Sequence, residues 1–250
     1  MSIDGNLQKY QSDAVVAYYL GLTGLQPAEE HLFRHWLKEG SDILDLGVGG
    51  GRTTPALSAI ARRYVGADYS AAMVAACRQQ WPDLAFVHCD ATTMACFEDK
   101  TFDAVVFPFN GIDVIRSDEG RAKCLGEIAR VLKPEGLFIF SSHNARVLGH
   151  WPQLQGARGY RIPWRIARAV GKSATLALRG LTSNAFWQHE GYIHDPVHGG
   201  MDHYVSTPHT IKPQVEAAGF SILEVVNGHF PVVSSPSLAP WFYYACKRTT

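Results

Sequence analysis

The stretch Ser41-Asp42-Ile43-Leu44-Asp45-Leu46-Gly47-Val48-Gly49-Gly50-Gly51-Arg52 constrains the fold more than any other part of the chain. An apolar run ends in a cluster of glycines, and RTTPALSAIARR (52–63) follows at helical spacing. The chain therefore leaves a buried strand, turns tightly and enters a helix. Such a turn needs left-handed backbone or close approach to a ligand, and glycine meets both demands without a steric penalty. The spacing is GxGxG from Gly47. Arg52 stands where a dinucleotide fingerprint wants its third glycine, which weakens a nicotinamide reading.

The same alternation continues downstream. YVGAD (64–68) reads as a second strand, SAAMVAACRQQW (70–81) as a helix capped by Ser70, LAFVHCD (84–90) and FDAVVFPF (102–109) as strands. EGRAKCLGEIARVLKPEG (119–136) predicts a helix closed by proline and glycine, and LFIFSSHN (137–144) a fifth strand. TPHTIKPQVEAAGF (207–220) predicts a helix ending near Gly219, and SILEVVNG (221–228) and PWFYYACKR (240–248) two last strands. Two helices between Ala14 and Lys38 precede the first strand. Near-continuous apolar strands alternating with helices predict an α/β fold with a mostly parallel sheet, ligands sitting at the carboxyl ends of its strands. Residues 145–205 interrupt this order and are expected to be an inserted lid, with 1–40 as a helical cap.

The 250 residues, 46% apolar and 18% charged, suffice for one large core, so a single domain over 1–250 is expected. Lys plus Arg and Asp plus Glu number 23 each, giving no whole-protein charge to attract nucleic acid. The charge is nevertheless uneven. Between Arg146 and Gln188 there are seven basic residues and no acidic one, which leaves the rest of the chain with seven more acids than bases. The five cysteines, an odd number without CxxC spacing, point to reduced thiols. The start MSIDGNLQKYQSD lacks an apolar run, and no apolar window of about 18 residues occurs, so a cytoplasmic protein is expected.

Taken in order, LDLGVGGGR (44–52), VGADYS (65–70), Met73, HCDA (88–91), FDAVVFPFNGID (102–113) and VLKPEGLFIFSSHN (131–144) resemble the class I S-adenosylmethionine-dependent methyltransferases. The resemblance spans about 100 residues. It implies a Rossmann-like, seven-stranded, mostly parallel sheet in the order 3-2-1-4-5-7-6, strand seven antiparallel, with helices on both faces. It implies S-adenosyl-L-methionine as cofactor and S-adenosyl-L-homocysteine as product. Carried over residue by residue, Asp68 would hold the ribose, Tyr69 and Met73 would pack on the adenine, and Asp90 with Ala91 would meet its amine. Gly47, Gly49 and Gly51 would face the methionine moiety, and Phe107 to Asn110 would lie beside the sulfonium. Among the tyrosines of the first helices, Tyr10, Tyr18 and Tyr19 are candidates to close over the cofactor, Tyr19 foremost. The bland reading of Asp68 is a helix cap, and that of the tyrosines is simple packing. The fourth strand end lacks the Asn/Asp-Pro-Pro-aromatic signature of amide and base N-methyltransferases, so a nucleic-acid acceptor is not expected.

Methyl transfer from a sulfonium is an in-line displacement for which the protein aligns the nucleophile and removes its proton, with no metal required. Eight of the 11 histidines lie from His143 onward. His143 ends the fifth strand, at the edge where the acceptor belongs, and is the first candidate base. His194 and His198, on a segment expected to be a loop (GYIHDPVHGG), are the others. A metal at His194-x-x-x-His198 is disfavoured by Pro196 and Gly199-Gly200. Surface histidines and a capped strand end are the bland alternatives. In the insertion, Arg165, Arg168 and Lys172 recur at spacings of three and four opposite Ile166, Val170 and Ala177. That pattern suits an acidic acceptor, an anionic membrane or a solvated face; Gly171 and the modest length weigh against stable membrane association. The expected function is methyl transfer to oxygen or nitrogen of a small molecule, including acidic or carrier-bound intermediates of natural-product biosynthesis. A methyltransferase fold that binds the cofactor without transferring methyl is the alternative, and a homodimer is compatible with either.

Overall fold

The computed structural model describes residues 5–147, 159–195, 201–232 and 235–249. Three helices, α1 (Gly5–Tyr10), α2 (Asp13–Leu20) and α3 (Pro27–Trp36), precede the first strand, one more than the sequence pattern predicts. The alternating part then runs β1 (Ser41–Leu46), α4 (Thr54–Ile60), β2 (Ala61–Asp68), α5 (Ala71–Gln80), β3 (Ala85–His88), β4 (Phe102–Phe107), α6 (Asp118–Val131) and β5 (Leu132–His143). A 3-10 turn, Gly111–Val114, links β4 to α6. Beyond β5 come α7 (Ile162–Thr182), α8 (Asn184–Gln188), β6 (Gly191–Asp195), β7 (Met201–Val205), α9 (Pro208–Ala217), β8 (Phe220–Asn227) and β9 (Trp241–Arg248).

The main sheet has seven strands in the order β3-β2-β1-β4-β5-β9-β8, and β9 runs antiparallel to both neighbours. With β6 and β7 set aside as a separate two-stranded sheet, this is the expected 3-2-1-4-5-7-6 order. Period-two alternation sorts the strand side chains onto two covered faces. Leu44, Leu46, Val105, Phe107, Phe138 and Phe140 pack under α6 and α9 through Cys124, Leu125, Ile128, Ile211 and Val215. Ile43, Ala104, Val106 and Ile139 face α3, α4 and α5 through Leu32, Phe33, Leu57, Val74 and Cys77. The chain reverses its direction of sheet growth between β1 and β4. A cleft therefore opens at their carboxyl ends.

Three segment boundaries differ from the sequence reading. Ala61 to Arg63 belong to β2 rather than to the preceding helix, and Arg62 reaches the buried carboxylate of Asp42 on β1 at 2.6 Å. Lys133 to Gly136 open β5 instead of closing α6, with Lys133 bonded to Asp103 at 2.8 Å and Glu135 at a φ of +65°. Residues 191–195, expected as loop, form β6 and pair with β7 in an antiparallel hairpin. The β-prone runs Tyr192-Ile193-His194 and His203-Tyr204-Val205 are a hairpin pattern that Pro196 and Gly199-Gly200, read as loop signals, obscured.

One ion pair fixes the N-terminal helices to the glycine turn. Arg52 donates from both terminal nitrogens to Glu29 at 2.6 Å each, and also to the carbonyl of Gly24. Glu29 Oε2 at the same time accepts the backbone N–H of Gln26, capping α3. The side chains of Arg52 and Glu29 are 9% and 1% exposed, so removing either partner strands a buried charge. Glu29→Ala is expected to cost about 3–5 kcal/mol in denaturant unfolding, whereas the double variant Glu29→Leu, Arg52→Met loses clearly less. Equal losses would show that the pair contributes packing alone.

Candidate active site

The glycine turn is built for close approach. Gly47 and Gly49 sit at φ of +65° and +55°. Gly50, which the sequence does not single out, lies against the end of α2: a Cβ there would come within 2.4 Å of Tyr19 backbone. Gly51 faces away from the cleft, where a Cβ would strike the Trp81 ring at 2.2 Å, so its smallness serves packing. Asp68 ends β2 directly beside this turn. Its Oδ2 accepts the Gly49 N–H and its Oδ1 the Ser70 N–H, each at 2.8 Å. Ser70, not Asp68, is the N-cap of α5. Burial raises the Asp68 pKa, against the backbone donors that favour the ionised form.

Around Asp68 a single cavity is lined by Tyr19, Gly47, Gly49, Tyr69, Met73, Asp90, Ala91 and Phe107, all expected at the cofactor. Gly51 and Asn110 are not among its lining residues. Asp90 is held at the rim by Thr92, whose N–H and hydroxyl both donate to Oδ1 at 2.8 Å. Tyr10 closes one end, its ring 5.8 Å from those of both Tyr19 and Tyr69, and burial pushes its hydroxyl pKa up. Tyr18 is 62% exposed and lies outside the cavity. Phe109, from the Phe107–Asn110 run, also lines it, and residues that sequence reasoning did not select complete the wall: Thr92, Ile115 and Arg116. They lie on the loops after β3 and β4, a place the fold singles out once its strand ends are known.

His143 stands at the end of β5, behind the loop that forms this wall. Its Nδ1 and its backbone N–H meet the same carboxylate oxygen of Asp113, at 2.8 and 2.7 Å. Its Nε2 is 3.2 Å from Asn110 Nδ2, and its ring packs on His203 with centroids 4.4 Å apart. Asp113 is fully buried and also accepts the Ser142 hydroxyl at 2.8 Å, with Arg121 Nη1 at 3.6 Å. Asp113 and Arg121 are the site's polar residues that the sequence reading missed. An acid three residues after Asn110 is the signal for the first; an arginine on the apolar face of α6 is the signal for the second.

The other proposed bases separate from this group. His194 is a 63% exposed hairpin residue whose Nδ1 meets Asp202 at 2.8 Å, and the same carboxylate holds Arg116 of the cavity wall. His198 lies outside the described residues. Among the described residues no group of three or more metal-ligating side chains converges, and no helix is long and apolar enough to cross a membrane. No described residue of α7 lines the cavity.

Residues 43–136 match a family model described as a methyltransferase domain. A demethylmenaquinone methyltransferase of Clavibacter sepedonicus is 30% identical over 191 residues, covering 75% of this chain and 69% of that one. The chain belongs to the class I S-adenosylmethionine-dependent methyltransferases. A second relative of this methyltransferase, a demethylmenaquinone methyltransferase of Beutenbergia cavernae, is 35% identical over 136 residues, of which the chain spans only 55%. Among solved structures, the Burkholderia thailandensis 1,6-didemethyltoxoflavin-N1-methyltransferase, bound to 1,6-didemethyltoxoflavin and S-adenosylhomocysteine, superposes at a TM-score of 0.63. At 15% identity over 100% of this chain and 92% of that one, it attests the fold alone.

Asp45, the acid that opens the glycine run, points into the protein rather than the cleft. Its Oδ2 accepts the hydroxyls of Thr53 and Tyr64 at 2.7 and 2.8 Å, while Oδ1 is buried without a hydrogen-bond partner among the described residues. Burial, only partly offset by the two hydroxyls, pushes its pKa up to about 6. The native state then holds a proton that the unfolded chain, with a carboxyl pKa of about 3.9, has released. Stability therefore falls as pH rises from about 4 to 6 and stays lower above. Relative to Asp45→Asn, the wild-type enzyme should lose on the order of 2–3 kcal/mol between pH 4 and pH 7 in denaturant unfolding. Parallel pH profiles would assign the effect elsewhere.

Proposed function

We propose that this methyltransferase modifies a small aromatic acceptor that enters at the β4–β5 edge of the cavity and gives up its proton to His143. The observation that carries the reading is the Asp113–His143 pair. With Nδ1 held by a buried carboxylate, the ring presents Nε2 to Asn110, which sits between the cavity-lining Phe109 and Gly111, an orientation that suits a general base. Asn110 sits in left-handed backbone, anchored by its N–H on Ser141, and its Oδ1 is buried without a partner among the described residues. A buried acceptor in that condition fits a ligand that brings a donor.

The residues of the cleft fit the cofactor. Asp68 is a buried carboxylate with lone pairs left for ribose hydroxyls, Tyr69, Met73 and Ala91 offer an apolar slot, and Gly47 and Gly49 give a floor without side chains. When bound, S-adenosyl-L-methionine supplies an electrophilic methyl group and leaves as S-adenosyl-L-homocysteine. The protein's part is to orient the acceptor and take its proton. Tyr10 and Tyr19 exclude water from one end, and Phe107 and Phe109 supply flat surfaces for a ring. The relatives named for demethylmenaquinone and the neighbour bound to 1,6-didemethyltoxoflavin support a flat, conjugated acceptor, so a quinol belongs in the test beside oxygen and nitrogen nucleophiles.

Labelled methyl transfer to a panel of quinols, phenols and nitrogen heterocycles tests this proposal. His143→Ala should lower turnover about 10²–10⁴-fold and leave cofactor affinity nearly unchanged. Undiminished turnover would show that the acceptor ionises without His143. Asp68→Ala should weaken S-adenosyl-L-methionine binding by roughly 1.5–3 kcal/mol in calorimetry. Unchanged affinity would remove Asp68 from the ribose site.

A further inference from the structure

Helix α7, 21 residues long, leaves an unusual surface uncovered. Ile166, Val170, Leu178 and Leu181 are 43%, 63%, 69% and 50% exposed among the described residues. At 100° per residue these four fall within an arc of about 120°, and Arg165 and Arg168 stand about 60° apart on the opposite side of the helix. Trp164, 61% exposed, stands at the border between the two arcs, with the Arg168 guanidinium 5.4 Å from its ring. Trp187 on the adjoining α8 is 63% exposed.

We propose that this face docks reversibly on an anionic lipid bilayer, with α7 lying in the plane of the interface. An apolar stripe opposite a basic face, with tryptophan at the border between them, is the pattern of a helix that lies in the headgroup boundary. Charge argues for lipid over a second copy of the chain. The sequence of α7 holds four basic residues and no acidic one, so pairing two such helices brings like charges together without relief. An acidic small molecule would satisfy the cations and leave Val170, Leu178 and Leu181 uncovered. The apolar arc therefore decides against the acidic-acceptor reading of this helix. The inference does not depend on which acceptor is methylated.

Co-sedimentation of the full chain with vesicles tests it. Binding is expected to phosphatidylglycerol–phosphatidylcholine vesicles at low salt, with little to phosphatidylcholine alone and a marked decrease in high salt. Arg168→Gln should weaken binding about fivefold, the effect of one basic residue near such a surface. Val170→Glu with Leu178→Glu, both at exposed positions, should reduce binding more than tenfold while thermal unfolding and methyl transfer to a water-soluble acceptor stay unchanged. Absence of binding to the anionic vesicles overturns the proposal, as does full binding by the double variant. A wild-type dimer in sedimentation velocity that the same double substitution disperses, without any vesicle binding, gives the face to a second copy and equally overturns it.

Discussion

The carboxylate of Asp113 has no exposed surface, yet four groups from two parts of the chain converge on it. The Ser142 hydroxyl, the His143 N–H and the His143 ring come from the end of β5, and Arg121 from α6. A lone ionised carboxylate in that position would be prohibitively costly, so its burial demands that all of these partners be in place together. Arg121 in turn is 2% exposed, donates to the Ile112 carbonyl and lies 3.8 Å from the centroid of Tyr204 on β7. Ser142 also meets the Ser206 hydroxyl at 3.0 Å. One buried charge thus links the turn after β4, the end of β5, α6 and the inserted hairpin.

The cleft on the other side of β4 is organised by backbone more than by charge. Asp68 uses its two oxygens to hold the N–H groups of Gly49 and Ser70, so the carboxylate that faces the cavity also sets the shape of the glycine turn. Gly50 lets α2 lie directly on that turn, and the buried Arg52–Glu29 pair locks α3 against it. The N-terminal helices are therefore part of the cavity's construction, and Tyr10 and Tyr19 reach it because of them.

What the sequence makes legible follows from this division. The sheet order, the glycine turn, Asp68 and the apolar slot lie in contiguous motifs whose spacing is imposed by strand and turn geometry, and each of those residues except Gly51 and Asn110 lines one cavity. Gly51 misleads because a glycine needed against Trp81 and a glycine needed against a ligand look alike in sequence. Asp113 and Arg121 leave only local hints, an acid after Asn110 and an arginine on an apolar helix face, because their pairing lies in a contact between the turn after β4, α6 and β5 that no local pattern encodes. The hairpin was hidden for a different reason: Pro196 and Gly199-Gly200 read as loop signals, while the alternation of Tyr192, His194 and their partners Tyr204, Asp202 made it a strand pair.

That hairpin shows how an insertion joins a site without altering the sheet. The backbone of β7 continues into Ser206, whose N–H donates to the His143 carbonyl and whose carbonyl accepts the Ala145 N–H, so the insertion prolongs β5 where the general-base candidate sits. From the same hairpin Asp202 holds Arg116 of the cavity wall, and its carbonyl accepts Asn6 of α1. The N-terminal cap, the cavity rim and the insertion therefore meet at one strand. On the reading proposed above, in which Asp68 and the glycine turn hold the cofactor, a change of acceptor need alter only that strand's neighbours.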